Sequence, residues 1–218
     1  MMSDLSAIHL SNAVMVARCP ESAGLCIGAK LPKLCARLAL YFLVCFTACL
    51  PVAAAGMQSN WIGDPSIGEA RLISAVTASG DLEKLPLGLE FRLAPGWKIY
   101  WRTPGEAGLP PRIDLLVDGD PVESQIKWPV PKRFNAFGFD NYGYDNTVIL
   151  PLDVSGFTAG TTLQLTGQVE ALVCADICVP LGGTVKMTMP AGTALASADA
   201  RAMAQAAALV PRQGSHAP

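Results

Sequence analysis

The chain has 218 residues, 51% of them hydrophobic, and a formal net charge of −2. That length and composition suit one domain with extensions. The charge leaves no basic excess to hold nucleic acid.

The first predicted element is a leader. Lys30, Lys33 and Arg37 precede an apolar run from Leu38 to Leu50, and Pro51-Val52-Ala53-Ala54-Ala55 follows. Charge, apolar run and small-residue site in this order predict a secretory signal peptide over residues 1–55, cleaved after Ala55. The run falls short of the roughly 20 residues that a membrane span needs, so an uncleaved anchor is the second reading. Phe46-Thr47-Ala48-Cys49 resembles a lipobox with Phe46 where leucine is usual, which gives a lipoprotein as the third. Cleavage leaves 163 residues with 12 Lys+Arg and 16 Asp+Glu, hence a net charge of −4. It removes His9, Cys19, Cys26, Cys35, Cys45 and Cys49, so that Cys174 and Cys178 are the only cysteines left. An exported domain sits where such a pair can stay oxidised.

From Glu69 onward the apolar period is two, which predicts half-buried strands. The candidates are Arg71–Ala78, Leu87–Leu93, Trp97–Trp101, Ile113–Val117, Ser124–Trp128, Thr147–Val154, Thr162–Val173 and Thr184–Met189. Pro151 inside one of them predicts an edge or a bulge. Short strands split by Gly, Pro and Asp turns predict an all-β fold, an immunoglobulin-like antiparallel sandwich, over 56–192. Two stretches read as long loops, Arg102–Pro111 and the aromatic-rich Pro129–Asn146. Loops of such length tend to be functional. Tyr100 and Trp101 sit on opposite faces of their strand, and either is a candidate neighbour of the cysteines.

The chemistry concentrates in Val173-Cys174-Ala175-Asp176-Ile177-Cys178-Val179-Pro180. A strand–turn–strand with a thiol at each shoulder brings the two sulfurs within bonding reach. Such a pair reads as a redox-active dithiol, as a structural staple or as part of a metal site. The staple is a poor use of it, since a loop this short contributes only about 2 kcal/mol in the entropic model. A closed zinc site wants four ligands, and the chain's histidines are His9 and His216, both near a terminus. Soft ligands suit Cu(I), so Met187 and Met189 are candidate copper partners of the thiols, although their alternation also fits core packing. Asp176 reads as a turn residue or a proton-handling group. With Asp176 and Glu170 near the pair and no Lys or Arg inside the motif, the thiols are expected to lack strong activation.

Beyond Pro190, residues 193–218 predict an Ala-rich helical tail or linker remnant. Ala194–Leu209 favours helix but has few large apolar residues to pack with, and Pro211–Pro218 reads as a frayed end.

Several motifs converge on one family. Pro95-Gly96-Trp97-Lys98-Ile99-Tyr100-Trp101, Pro104-Gly105-Glu106-Ala107-Gly108, Lys127-Trp128-Pro129, Phe137-Gly138-Phe139 and the cysteine motif with Pro180 resemble the N-terminal periplasmic domain of DsbD-type protein-disulfide reductases. The likeness is nearest to the ScsB branch, which is linked with copper stress and shares the three-residue cysteine spacing. The resemblance implies an immunoglobulin-like component of a protein-disulfide reductase whose redox-active disulfide needs no further cofactor. It implies that Cys174 and Cys178 are the redox pair, reduced by a membrane-embedded donor. Electrons then pass to periplasmic thioredoxin-like or disulfide isomerase-like proteins. It also implies an aromatic cap loop over the pair, which falls on Phe134, Phe137 and Phe139, with Phe134 or Phe137 as the lid. The family's transmembrane and thioredoxin-like domains have no counterpart in the sequence given. A non-enzymatic binding module with an inert disulfide and a copper-binding stress protein are the alternatives.

Overall fold

Leu85, Leu87, Leu89, Phe91 and Leu93 all point into the interior, as a strand with a period of two demands. The same rule, applied along the chain, builds two antiparallel sheets. The structure is a computed structural model and describes residues 57–211 apart from Ala107 and Phe137. These residues fall in the unit Val52–Pro218. The predicted signal peptide lies outside the described residues.

The strands begin with β1 (Met57–Gln58), β2 (Ile62–Asp64), β3 (Gly68–Ser74), β4 (Leu85–Leu93), β5 (Lys98–Gly105) and β6 (Arg112–Val117). They continue with β7 (Asp120–Pro121), β8 (Glu123–Ile126), β9 (Lys132–Ala136), β10 (Phe139–Asp145) and β11 (Thr147–Ser155). Two long strands, β12 (Leu163–Cys174) and β13 (Cys178–Met189), precede one helix, α1 (Ala200–Ala208). Among the described residues a six-stranded sheet runs β1-β3-β4-β11-β8 with β2 on β3. A seven-stranded sheet runs β7-β6-β12-β5-β10-β9 with β13 on β12. This is the expected immunoglobulin-like sandwich. Leu72, Phe91, Leu150 and Leu152 from one sheet meet Ile99, Leu165, Val169 and Val185 from the other, each at most 1% exposed. Burial of each such side chain stabilises the fold by about 1.5–3 kcal/mol.

Pro151 stands where the ladder can spare its missing N–H. It pairs with Gly88 of β4, whereas the β8 ladder begins only at Leu152. Its carbonyl accepts from the Lys127 N–H at 2.7 Å. β11 lies between β4 and β8, so the expected edge or bulge is not found, and the proline instead stands just past the end of the β8 ladder.

Three further expectations need correction. Pro129–Asn146 is not a loop for most of its length, because β9 and β10 pair as a hairpin from Phe139↔Ala136 to Gly143↔Lys132. Asp140, Asn141 and Gly143 carry turn chemistry, but the pairing of β10 with β5 overrides their low strand propensity. Arg102–Pro111 likewise begins as strand, since β5 runs to Gly105. The Ala-rich segment packs better than its composition suggests. Met203 and Ala206, three residues apart on one helix face, are both buried. Gly88 makes the room: a Cβ there would lie 2.4 Å from Met203 Sδ. The approach to the helix is also pinned, with an isolated bridge between Val76 and Ala196 and a bond from the Thr77 N–H to the Leu195 carbonyl at 2.9 Å. The helix covers the outer side of the six-stranded sheet and leaves the outer side of the other sheet to the cysteines.

Candidate functional site

β12 and β13 pair along their whole length, and the last pair is Cys174↔Cys178. Odd-numbered residues of both strands, such as Val169, Val173, Leu181 and Val185, belong to the core cluster. Alternation therefore sends Cys174 and Cys178 to the outer face of the seven-stranded sheet. They form a disulfide with a Cα–Cα distance of 4.1 Å. That is close to the roughly 4.5 Å of a non-hydrogen-bonded antiparallel pair. The turn Ala175-Asp176-Ile177 is held by a bond from the Ala175 N–H to the Ile177 carbonyl at 2.9 Å. The two sulfur-bearing residues differ in access: Cys174 is 3% exposed, whereas Cys178 is exposed. Ile177 at the tip is 64% exposed.

Asp176 is exposed in the turn and lines a shallow cleft with Ala175, Ile177, Trp97, Lys98 and Asn135. The cleft lies between the hairpin tip and the β9 strand. The motif itself holds no cation, but Lys98 of β5 is the register partner of Cys174. Lys98 Nζ donates to the Gly96 carbonyl at 2.9 Å and stands 5.4 Å from the centroid of the Phe134 ring. Lys98 is the residue that sequence reasoning missed. Its place between Trp97 and Ile99 marked it as facing away from the core, but nothing local tied it to a cysteine 76 positions later.

Tyr100 follows Lys98 on the same face and is completely buried. Phe134 packs on it, with ring centroids 6.0 Å apart and planes tilted by 41°. On another side Gly108 approaches so closely that a Cβ would come within 2.4 Å of the Tyr100 ring, and its φ of +102° is one that side chains rarely adopt. The second glycine of the Pro104–Gly108 motif thus seats that loop on the tyrosine. Gly143 serves Phe134 in the same way. A Cβ on Gly143 would meet the Ile99 carbonyl at 2.1 Å and Phe134 Cε1 at 3.0 Å. The Tyr100 hydroxyl is buried without a hydrogen-bond partner, and burial raises its pKa above the usual phenol range.

Of the other predicted residues, Trp101 packs on the core side of β5, away from the cysteines. Phe137 lies outside the described residues, as does the Phe139 side chain; the Phe139 backbone pairs with Ala136. Met187 and Met189 are buried in the core, on the face of β13 opposite Cys178. The fold therefore does not bring these methionines to the thiols.

Along β12 and β13, next to the disulfide, runs a groove of about 430 Å³ whose lining includes Leu109, Pro110, Leu172 and Pro180 together with Arg112 and Glu170. Leu109 is 62% exposed there.

No curated protein matches the chain. Among solved structures it is similar to the N-terminal periplasmic domain of ScsB from Proteus mirabilis, with a TM-score of 0.58 and 27% identity. The likeness covers 73% of this chain and 62% of that one, so the chain spans less than two thirds of its relative. The profile of the family described as thiol:disulfide interchange protein DsbD, N-terminal, matches residues 69–190, which include the disulfide, Tyr100 and Phe134. On that match the chain belongs to the DsbD N-terminal domain family.

Proposed function

We propose that this protein is a periplasmic thiol–disulfide exchange module that relays electrons through Cys174 and Cys178. The donor is a membrane-embedded protein, and the acceptors are periplasmic thioredoxin-like or disulfide isomerase-like proteins. The observation that carries this reading is the placement of the disulfide. It closes a three-residue turn at a strand end, far too short a loop to be worth much as a staple, and it joins one exposed cysteine to one buried cysteine.

The chemistry follows from that asymmetry. A donor thiolate attacks Cys178 Sγ, the Cys174–Cys178 bond breaks, and Cys174 leaves with the bonding electron pair and takes up a proton. The donor's second thiol then resolves the mixed disulfide. The module now holds both electrons as a dithiol, and Cys178 passes them on by attacking an acceptor disulfide. Lys98 beside Cys174 favours the departing thiolate, since a nearby cation stabilises that form. Phe134 and Tyr100 form an aromatic wall beside this site and serve as its cap.

Single-cysteine variants test the assignment. With Cys174→Ser the exposed Cys178 should hold partners as mixed disulfides in periplasmic extracts. With Cys178→Ser the buried Cys174 should capture at least about tenfold less, because access limits thiol reactivity. Equal capture by the two variants, read on non-reducing gels, would remove Cys178 from the attacked position.

A further inference from the structure

The edge of β13 next to Cys178 is open, and its backbone is set to receive another strand. The Lys186 N–H bonds to Asn60 Oδ1 at 3.0 Å, and Asn60 Nδ2 donates to the Thr184 carbonyl at 3.2 Å. The backbone groups of Thr184 and Lys186 therefore point away from β12. In an antiparallel strand this direction repeats every second residue. Cys178, Pro180 and Gly182 share the parity of Thr184, and all three are exposed. Their groups point outward as well, and the 4.1 Å Cα separation at Cys174↔Cys178 agrees with that pattern. Pro180 stands where its missing N–H costs no bond to β12.

Among the described residues no strand pairs with β13 on that side. Asn60 supplies one amide that imitates a neighbouring strand at the Thr184–Lys186 end, and β2 then packs against Gly183 and Leu181, which have the opposite parity to Cys178, Pro180 and Gly182. From Cys178 to Gly182 the edge offers two N–H donors and three carbonyl acceptors. Long, bare strand edges are normally covered or blunted, because they recruit other chains. This one is left open beside the exposed Cys178.

Resting on the exchange reading above, we infer that Cys178–Gly182 is a strand-addition site for an extended, thiol-bearing segment of the partner protein. Main-chain hydrogen bonds to the edge set the register that brings the partner's sulfur to Cys178 Sγ. Such pairing gives affinity without demanding one side-chain sequence. It suits a module that meets a donor and an acceptor in turn. Specificity is left to side chains on the outer face, where Pro180 and Leu172 open into the apolar groove beside Leu109.

The probe is a capped pentapeptide, Thr-Val-Cys-Leu-Thr, with two N-methylated versions, one for each alternating set of backbone amides. Its thiolate attacks Cys178 Sγ and releases Cys174, so mass spectrometry reads the rate as mixed disulfide formed. One N-methylated version should react roughly five- to tenfold more slowly than the parent, as loss of one or two backbone hydrogen bonds implies. The other version should match the parent. On the protein side, Gly182→Pro deletes an outward N–H, whereas Gly182→Ala keeps it and has room, because a Cβ there meets only the Val169 carbonyl at 3.5 Å. Gly182→Pro should slow the parent peptide roughly fivefold, and Gly182→Ala should not. Glutathione should open the disulfide equally fast in all three proteins. If all three peptides react alike, strand addition is wrong even though exchange with glutathione persists. If glutathione also fails to open the disulfide, the exchange reading falls and strand addition falls with it.

Discussion

Protein carrying Cys174→Ser together with Cys178→Ser should fold and lose all thiol–disulfide exchange. The fold rests on the two-sheet core, in which Leu72, Leu87, Leu89, Phe91, Leu150 and Leu165 are essentially inaccessible. Twelve register pairs also hold β12 to β13 whether or not the last is covalent. The lost cross-link costs about 2 kcal/mol in the entropic model. Domains of this kind have a total stability of about 5–15 kcal/mol, so the variant remains folded. Urea denaturation should show a modest shift in midpoint with an unchanged slope, the sign that stability and not compactness has changed. Exchange with protein partners and with glutathione should fall to background. Unfolding of the double variant in buffer would make the disulfide a structural element and would reverse the assignment.

Phe134→Ala should open the site. Phe134 is half-buried against Tyr100 and beside Lys98, the register partner of Cys174. Removing the ring should cost about 2 kcal/mol, below the 3–5 of a fully buried phenylalanine. Alkylation of the reduced cysteines should speed up by about tenfold, since access limits their reactivity. The tyrosine reports on the same event. Burial disfavours the phenolate and holds the Tyr100 pKa above its ordinary value, so the wild-type phenol stays neutral to higher pH than a free one. With the ring gone, water reaches the hydroxyl and the pKa should fall toward the ordinary value of about 10. An ultraviolet titration at alkaline pH detects that fall. If the phenol shifts while alkylation does not, Phe134 covers Tyr100 alone and leaves the cysteines unguarded.

The fold was legible because its sandwich is built from alternation, which is local. Leu87 to Leu93 and Leu163 to Val173 announce their buried faces without help from any partner strand. The pairing of Cys174 with Cys178 was legible for the same reason, as the two flank one three-residue turn. What escaped depends on contacts between distant segments. The β9–β10 hairpin looked like loop because Asn141 and Gly143 are poor strand residues, yet Gly143 must be small to let Phe134 lie over it. Lys98 looked like any residue on a wet face until β12 came alongside β5. The Ala-rich segment looked too weakly apolar to pack, because the space for Met203 is made by Gly88, far away in the chain. The groove beside the disulfide joins Leu109 and Pro110 to Leu172 and Pro180, a neighbourhood created only by the sheet.

The central claim is that the Cys174–Cys178 disulfide exchanges under physiological redox conditions, and its reduction potential tests that most directly. Oxidised protein is equilibrated in glutathione buffers of graded ratio, and the dithiol fraction is counted by mass after alkylation. Structural disulfides of exported proteins lie below about −300 mV, whereas exposed, catalytic ones lie higher. A potential above about −300 mV is the predicted result. A value below it, with the bond intact across the whole glutathione range, would contradict the account and make the pair a staple.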